Sequence, residues 1–322
     1  METDDYSPLY LTNFSTSPGE EMYDSTYLLC RAINVTIYSI TFLLGTVGNG
    51  LVIWIIGFKM EKTTTLILFL NLGIADFSFC LFLPLSITQW ALMNYWPFGW
   101  IMCKTWAFFF FYNLFLFETW AFNLYLTLCA SVLFLMIISV DRCICVLYPM
   151  LAKIHRTSRS ASIISVIIWV LSVALSFPYI VFYDQIYHNQ VPFCTSMFAV
   201  WANATSVDME IWEERYKAMT VTRFVSMFLV PFSISLVCYG LIAFQVKKST
   251  RIPWSGRTLK IIFTIVTCFF LCWFLFHTLP MTLVVDIYIK PSYLMLLDNL
   301  GQCLAFFNSF RNKFNVFWKA GS

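Results

Sequence analysis

The chain has 322 residues, of which 60% are hydrophobic and 11% are charged, and its formal net charge is +3. Soluble globular chains carry about 25% charged residues, so this chain has too few polar side chains to cover an exterior that faces water. The composition excludes an ordinary soluble enzyme and an intrinsically disordered chain. The net positive charge is also too small to indicate nucleic-acid binding.

Apolar stretches long enough to cross a membrane occur seven times along the chain. A transmembrane helix needs about 20 mostly apolar residues. The stretches, numbered span one to span seven in chain order, are 33–57, 64–92, 119–147, 162–183, 219–246, 258–286 and 292–318. The sequence therefore predicts an all-α bundle of seven transmembrane helices at 30–318, with an acidic tail at 1–29 and a short cytoplasmic end at 319–322.

The distribution of basic residues predicts the orientation of the bundle. Fourteen of the 20 Lys and Arg residues lie on one side, and by the positive-inside rule that side is the cytoplasm. The N-terminus and the long connection 184–218 are then outside. Asn13 and Asn203 begin Asn-X-Ser/Thr triplets on that side, so both are expected to be glycosylated. Residues 1–29 contain no apolar stretch typical of a signal peptide, so we expect none to be cleaved.

A repeated tetrapeptide precedes span three. The sequence Thr105-Trp-Ala-Phe108 recurs as Thr119-Trp-Ala-Phe122, which indicates a tandem duplication of 14 residues that lengthens the third helix. One continuous helix over 101–147 would be about 70 Å long, against about 30 Å for the hydrocarbon core. We therefore expect 119–147 in the membrane. Residues 104–118 would form an outward extension, a re-entrant turn or a helix lying on the membrane surface.

Short polar motifs inside the spans occur in a characteristic order. They are Gly48-Asn49-Gly50, Leu72-Gly-Ile-Ala-Asp76, Asp141-Arg142-Cys143, Trp169, Pro231 with Tyr239, and Cys272-Trp273. Polar residues are costly in hydrocarbon and are kept there for partners or function. In this order the motifs resemble the rhodopsin-like G-protein-coupled receptors, and the resemblance runs from about residue 30 to 318.

A closer resemblance is to the chemoattractant peptide receptors, the group of formyl-peptide and chemerin receptors, and within it to the chemerin branch. The stretches that carry it are Gly50-Leu-Val-Ile-Trp, Trp96-Pro-Phe-Gly-Trp, Asp141-Arg-Cys-Ile-Cys-Val-Leu-Tyr-Pro149, Val221-Thr-Arg-Phe224, Phe269-Phe-Leu-Cys-Trp273, His277-Thr-Leu279 and Leu304-Ala-Phe-Phe-Asn-Ser309. The resemblance implies a plasma-membrane receptor for an extracellular peptide or small protein. It also implies signalling through heterotrimeric G proteins of the inhibitory class.

The resemblance implies a sodium pocket around the carboxylate of Asp76 in span two. The other residues at matching positions are Ser131, Trp273, Asn308, Ser309 and Asn312. Oxygen-rich surroundings suit a hard cation such as sodium. The alternative is that Asp76 is protonated or hydrogen-bonded and serves only in packing; no other cofactor is expected.

The resemblance also assigns a switch where span three reaches the cytoplasm. Asp141 would hold Arg142 in the resting state and release it toward the G protein in the active state, with Tyr239 and Trp273 as further parts of the switch. The alternative role for Arg142 is a positively charged anchor at the inner membrane surface.

Arg223 is the leading candidate for ligand binding, because a guanidinium in the outer half of span five is costly unless it meets an anion. By resemblance it would bind an acidic or C-terminal group of the peptide. The alternatives are an internal salt bridge with Glu213, Glu214 or Asp286, or a side chain that extends to the interface. Further pocket candidates are Trp90, Trp273, His277 and Asp298.

The cysteines on the outer side can be oxidised. By resemblance, Cys103 at the top of span three pairs with Cys194 in the long outer loop, although the duplicated segment could strain or displace that bridge. Cys30 has no obvious partner in the sequence.

The sequence departs from the family in spans six and seven. Leu275 occupies the position where the family has proline two residues after Trp273, and Lys313 follows Asn312 where the family again has proline. These changes affect the parts that move, since a proline kink lets the inner half of span six move outward. A receptor that binds ligand without signalling, such as a decoy or scavenging receptor, is therefore the alternative function.

Other classes of protein have no support in the sequence. We find no metal-ligand cluster, nucleophile motif or Gly-rich phosphate loop, and the three His residues are scattered. A transporter or channel would need inverted repeats or charged residues in several spans. The chain is therefore predicted not to be an enzyme.

Overall fold

The computed structural model describes residues 18–93, 95–99, 120–188, 191–196, 206–248, 270–282, 284–285, 287 and 289–311. Its helices are α1 (Pro18–Trp54), α2 (Thr64–Ala91), α3 (Trp120–Leu147), α4 (Pro149–His155), α5 (Ser158–Phe182), α6 (Ser206–Phe224), α7 (Val230–Lys248), α8 (described over Phe270–Thr282) and α9 (Pro291–Arg311). Two π-helical turns, Ile55–Lys59 and Val225–Leu229, extend α1 and join α6 to α7. The predictions for Asn13, Cys103, 104–118, Asn203, Asn312 and 319–322 lie outside the described residues.

The helices agree closely with the predicted spans. Within the described residues, five helical segments are long and apolar enough to cross a membrane, namely Ser25–Lys59, Thr64–Ala91, Tyr125–Leu147, Ser158–Phe177 and Glu213–Gln245. Span six is represented by the shorter apolar helix α8, and span seven by α9. Helix α3, described over Trp120–Leu147, lies within the predicted membrane part of span three, 119–147.

Helix α1 extends further toward the N-terminus than predicted, since it already includes Pro18, inside the segment 1–29 that was expected to be a tail. The helix therefore continues beyond the apolar stretch from which span one was predicted.

A β-hairpin corrects the all-α prediction. Strands β1 (Tyr183–His188) and β2 (Val191–Ser196) pair antiparallel in the long connection after α5, with Gln185 opposite Cys194. The backbone N–H of Trp96 donates to the carbonyl of Pro192 (2.9 Å), so the hairpin is tied to the segment that follows α2. Trp96 is fully buried and also donates its indole N–H to the carbonyl of Gly99 (2.9 Å).

The core lies where α3 packs against α2, α5 and α7, while α9 packs against α1. Phe134 of α3 is fully buried and contacts the Trp169 ring of α5 edge to face (6.1 Å). Trp169 donates to Asn71 Oδ1 (3.0 Å), which links α5 to α2. The opposite face of α5 exposes large aliphatic side chains such as Val166 and Val170, as expected for a helix that faces lipid.

Candidate functional site

The carboxylate of Asp141, at the C-terminal end of α3, is bound by Arg156. The Nε–H of Arg156 donates to Asp141 Oδ1 (2.8 Å) and its Nη2 donates to Oδ2 (3.1 Å). Thr65, at the start of α2, donates its hydroxyl to the same Oδ2 (3.4 Å) and accepts a hydrogen bond from Arg156 Nη2. These hydrogen bonds raise the pKa of Arg156 above its ordinary value. We call Thr65, Asp141 and Arg156 the inner clamp.

The inner clamp changes the prediction that Asp141 holds Arg142. The ion pair that the structure records for Asp141 is with Arg156, from the segment between α4 and α5. The Nε–H of Arg142 is buried and has no hydrogen-bond acceptor in the described part of the chain. Tyr239 of α7, a predicted part of the switch, is buried, and its hydroxyl oxygen accepts a hydrogen bond from Ser139 (3.3 Å). Asp141 and Arg142 are adjacent as predicted, but the carboxylate is engaged elsewhere.

Asp76 lies in the core between α2 and α3. It is 4% exposed, and Ser131 of α3 donates a hydrogen bond to its Oδ1 (2.8 Å). Asn308 and Ser309 lie in helix α9, but their side chains are outside the described part of the structure. The structure thus brings together Asp76 and Ser131, two of the predicted sodium ligands.

Arg223 ends helix α6, next to the π-helical turn Val225–Leu229. Its Nη1 donates to the hydroxyl oxygen of Tyr125 (3.4 Å) on α3, and its guanidinium carbon lies 5.4 Å from the ring centre of Phe276 on α8. The side chain is half-buried, so its charge faces the bundle between α3 and α8. The role of Arg223 as a ligand anchor stays a prediction.

His277 and Trp273 form an aromatic cluster on α8. The two rings lie 5.6 Å apart, and Phe276 and Phe228 contact His277 at 5.2 Å and 5.7 Å. His277 is 1% exposed, and neither ring nitrogen has a hydrogen-bond partner among the described residues. Phe276 contacts both His277 and Arg223, so the structure joins these two predicted pocket residues through one ring.

Asp298 and Trp90 are the remaining predicted pocket residues. Asp298 accepts a hydrogen bond from Gln302 Nε2 (2.8 Å), and Gln302 in turn accepts from the hydroxyl of Tyr38 (3.1 Å), which ties α9 to α1. Trp90 lies near the end of α2, where its ring contacts Tyr27 of α1 (6.1 Å). This contact joins the outer ends of α1 and α2.

Several residues of these sites were missed by sequence reasoning. Tyr125 and Phe276 contact Arg223, and Thr65 and Arg156 bind Asp141. No signal in the sequence separates these residues from their neighbours, because their roles depend on how helices pack. Among the outer cysteines, Cys30 is a buried free thiol, and Cys194 lies in β2 without a described side chain.

The described helices pack as a bundle that buries the carboxylate of Asp76, and the Asp141-Arg142 pair lies in the last two turns of α3. A family model described as "7 transmembrane receptor (rhodopsin family)" matches residues 48–312. The chain belongs to this family. The predictions of a multi-pass membrane receptor, and of a protein that is not an enzyme, are thereby confirmed.

Within the family, the chain is similar to several formyl peptide receptors. N-formyl peptide receptor 2 of Homo sapiens is 37% identical over 311 residues, which cover 94% of this chain and 84% of the relative. N-formyl peptide receptor 3 of Homo sapiens is 34% identical over 285 residues, 87% of this chain and 76% of the relative. Formyl peptide receptor 2 of Mus musculus is 35% identical over 301 residues, 90% of this chain and 81% of the relative. The predicted membership of the formyl-peptide receptor group is confirmed, and the placement nearest the chemerin branch stays a prediction.

Proposed function

We propose that the chain is a plasma-membrane receptor for a chemoattractant-type peptide or small protein and signals through heterotrimeric G proteins of the inhibitory class. The observation that carries this proposal is the similarity, over 94% of the chain, to a protein named as a receptor for N-formyl peptides. Ligand binding would act by shifting a population: a ligand that binds the active conformation more tightly favours it by that difference in affinity.

Arg223 is the proposed anchor for the ligand. It is a half-buried cation that reaches α3 and α8 through Tyr125 and Phe276, so an anion bound there would contact three helices. Replacing Arg223 with Ala should weaken peptides with an acidic end by about 1.5–3 kcal/mol, the range for a hydrogen bond to a charged group. An unchanged affinity would leave Arg223 a structural role, such as its contact with Tyr125.

Asp141, Arg142, Tyr239 and Trp273 are the proposed parts of the switch. Arg142 carries the coupling, because it lies at the end of α3 and its Nε–H has no acceptor among the described residues. Replacing Arg142 with Ala should abolish ligand-driven nucleotide exchange while ligand binding at the cell surface persists. Loss of both would point to misfolding, and the level of surface protein distinguishes that outcome.

The outer side of the receptor is proposed to carry the processing sites. These are glycans on Asn13 and Asn203 and a disulfide between Cys103 and Cys194. On the same orientation the β-hairpin is extracellular, and the inner clamp faces the cytoplasm. Digestion with an endoglycosidase and mass spectrometry of the unreduced protein would check the glycans and the disulfide.

A second candidate function is a receptor that binds ligand without signalling. Two observations favour it, namely Leu275 at a position where the family has proline and the close packing of Gly301 on the backbone of the same turn of α8. A β-carbon added at Gly301 would lie 3.1 Å from the backbone nitrogen of Phe276 and 3.3 Å from the carbonyl carbon of Leu275. The glycine thus lets α9 pack closely against this turn, and close packing opposes bending of α8 there.

One experiment separates the two functions. Binding of N-formylated and unformylated peptides and of small chemoattractant proteins is measured on membranes that contain the receptor, and nucleotide exchange on inhibitory G proteins is measured on the same membranes. Binding with exchange supports the signalling receptor. Binding without exchange on any G protein supports the decoy, and binding of none of these ligands contradicts both.

A further inference from the structure

Thr157 lies at the junction between α4 and α5, next to the residue that supplies the cation of the inner clamp. Helix α4 ends at His155 and α5 begins at Ser158, so Arg156 and Thr157 are the two residues between them. Thr157 is exposed. Its hydroxyl shares a hydrogen bond with the hydroxyl of Ser160 (2.9 Å) and accepts one from the backbone N–H of Ser160 (3.1 Å). These contacts fix the position of the hydroxyl without burying it.

The neighbouring hydroxyl groups are less accessible, because Ser158, Ser160 and Ser162 all lie in the first two turns of α5. Ser158 donates to the backbone carbonyl of Lys62 (2.5 Å), and Ser162 donates to the backbone carbonyl of Ser158 (3.0 Å). Ser160 is half-buried. Phosphoryl transfer requires a hydroxyl oxygen aligned with the γ-phosphorus of ATP, and a residue between helices reaches that alignment more easily than a helical one. Thr157 is therefore the hydroxyl group of this segment best placed to be phosphorylated.

The sequence around Thr157 is basic. Residues 142–183 contain no Asp or Glu, and Lys153, Arg156 and Arg159 lie within four positions of Thr157. Complementary charge steers association and selects partners, so this segment suits a protein kinase whose substrate groove is acidic. On the orientation proposed above, the junction faces the cytoplasm, where ATP and such kinases are found.

A phosphate on Thr157 would meet the cation of the inner clamp. Arg156 is adjacent in the chain, and its side chain is 30% exposed although it donates two hydrogen bonds to Asp141. A phosphate carries about 1.5–2 negative charges at neutral pH and three strong acceptor oxygens, whereas a carboxylate carries a single charge. The phosphate therefore attracts the guanidinium more strongly than Asp141 does, and it repels the carboxylate of Asp141.

We propose that Thr157 is a phosphorylation site for a Ser/Thr kinase that selects basic substrates, and that its phosphate competes with Asp141 for Arg156. In the transfer, the hydroxyl oxygen of Thr157 forms a bond to the γ-phosphorus of ATP and the bond from that phosphorus to ADP breaks. The hydroxyl proton passes to the catalytic Asp of the kinase. The effect on coupling rests on the proposed function, because release of Asp141 should weaken binding of a G protein as loss of the clamp does.

Phosphorylation can be tested without knowledge of the ligand. Purified receptor in lipid nanodiscs is incubated with ATP and the catalytic domain of protein kinase A or of protein kinase C, and phosphopeptides are mapped by mass spectrometry. Phosphate should be found on Thr157. Thr157→Asn is the control, since Asn retains a side-chain oxygen that caps α5 but cannot be phosphorylated. Absence of phosphate on Thr157 with both kinases would refute the site.

Heat unfolding tests whether the phosphate pairs with Arg156. Phosphorylation should raise the Tm of the unmutated receptor by about 2 °C relative to its effect on Arg156→Gln, because that variant lacks the guanidinium. Equal effects on the two proteins would refute the competition for Arg156.

The affinity of an isolated G-protein α subunit, measured on the same samples, separates the site from the proposed function. Phosphorylation should lower the affinity of the unmutated receptor about fivefold. Kinase treatment should leave the affinities of Arg156→Gln and Thr157→Asn unchanged. If phosphorylation of Thr157 does not alter the affinity of the unmutated receptor, the competition with Asp141 is refuted. If no α subunit binds, but Thr157 is phosphorylated and the Tm effects differ, the site stands and the signalling function fails. If an α subunit binds and Thr157 receives no phosphate, the function stands and the site fails.

Discussion

Removing the cation of the inner clamp should shift the receptor away from its coupling-competent conformation. Arg156→Gln breaks two charged hydrogen bonds, of 2.8 Å and 3.1 Å, to a carboxylate whose side chain is only 11% exposed. A hydrogen bond to a charged group contributes about 1.5–3 kcal/mol when buried. Because the side chain of Arg156 is 30% exposed, solvent screening reduces the combined effect to about 1–2 kcal/mol.

The direction of the conformational shift depends on which cation pairs with Asp141 once Arg156 is replaced. With Arg156 removed, Arg142 is the adjacent residue in the chain that can neutralise the carboxylate. The Asp141–Arg142 pair would then form as the resting lock and keep Arg142 from the G protein. A change of about 1–2 kcal/mol alters the ratio of competent to resting receptor about 5- to 30-fold.

The assay measures the affinity of an isolated G-protein α subunit for the ligand-free receptor in nanodiscs. Arg156→Gln should lower this affinity about 5- to 30-fold. Arg159→Gln is the matched control, since it removes the same charge from an exposed side chain three residues away. Unchanged or tighter binding in Arg156→Gln, with Arg159→Gln unaltered, would refute the assignment of Arg156 as the competitor for Asp141.

Three further predictions concern the bundle itself. Asp76→Asn should abolish the rise in Tm that sodium chloride produces over potassium chloride, and an equal rise in the variant would exclude Asp76 from a sodium site. Gly301→Ala should lower the stability by about 1–3 kcal/mol, because its new methyl group meets the backbone of Phe276. Gly240→Ala is the control, since a β-carbon there has no atom of the described residues within 4 Å, and the Tm of both variants checks the prediction. Deletion of 104–117 should raise surface expression if the duplicated segment is a defect, and lower expression would show that the segment is part of the fold.

The helices and their order could be predicted because lipid imposes a simple rule. A segment that crosses hydrocarbon must be apolar, about 20 residues long and internally hydrogen-bonded, and all three conditions can be read from the sequence. The described part of α3, Trp120–Leu147, therefore lies within the predicted span 119–147. The β-hairpin was missed because β1 and β2 lie outside the apolar spans, where that rule gives no information.

The candidate sites were predictable only where one residue type is unusual in its surroundings. Asp76 and Arg223 were found because a charge in a membrane span needs a partner. Their hydrogen-bond partners are uncharged and carry no such signal. Ser131 was predicted only through the family resemblance, and Tyr125 was not predicted. A tyrosine among many aromatic residues has no distinguishing signal, and its contact with Arg223 arises only when α3 and α6 pack together.

The packing of α9 on α8 bears on how this receptor could switch. A proline in span six weakens a helix at one turn by removing a backbone hydrogen bond, and the family uses that turn as a hinge. Leu275 keeps the N–H at this position, and Gly301 of α9 lies against the same turn closely enough that an added methyl group would clash. The turn is therefore held from outside as well as from within. An outward movement of the inner half of span six would have to bend below Leu275 or carry α9 with it. A signalling receptor with this sequence needs one of those two motions, whereas a decoy needs neither.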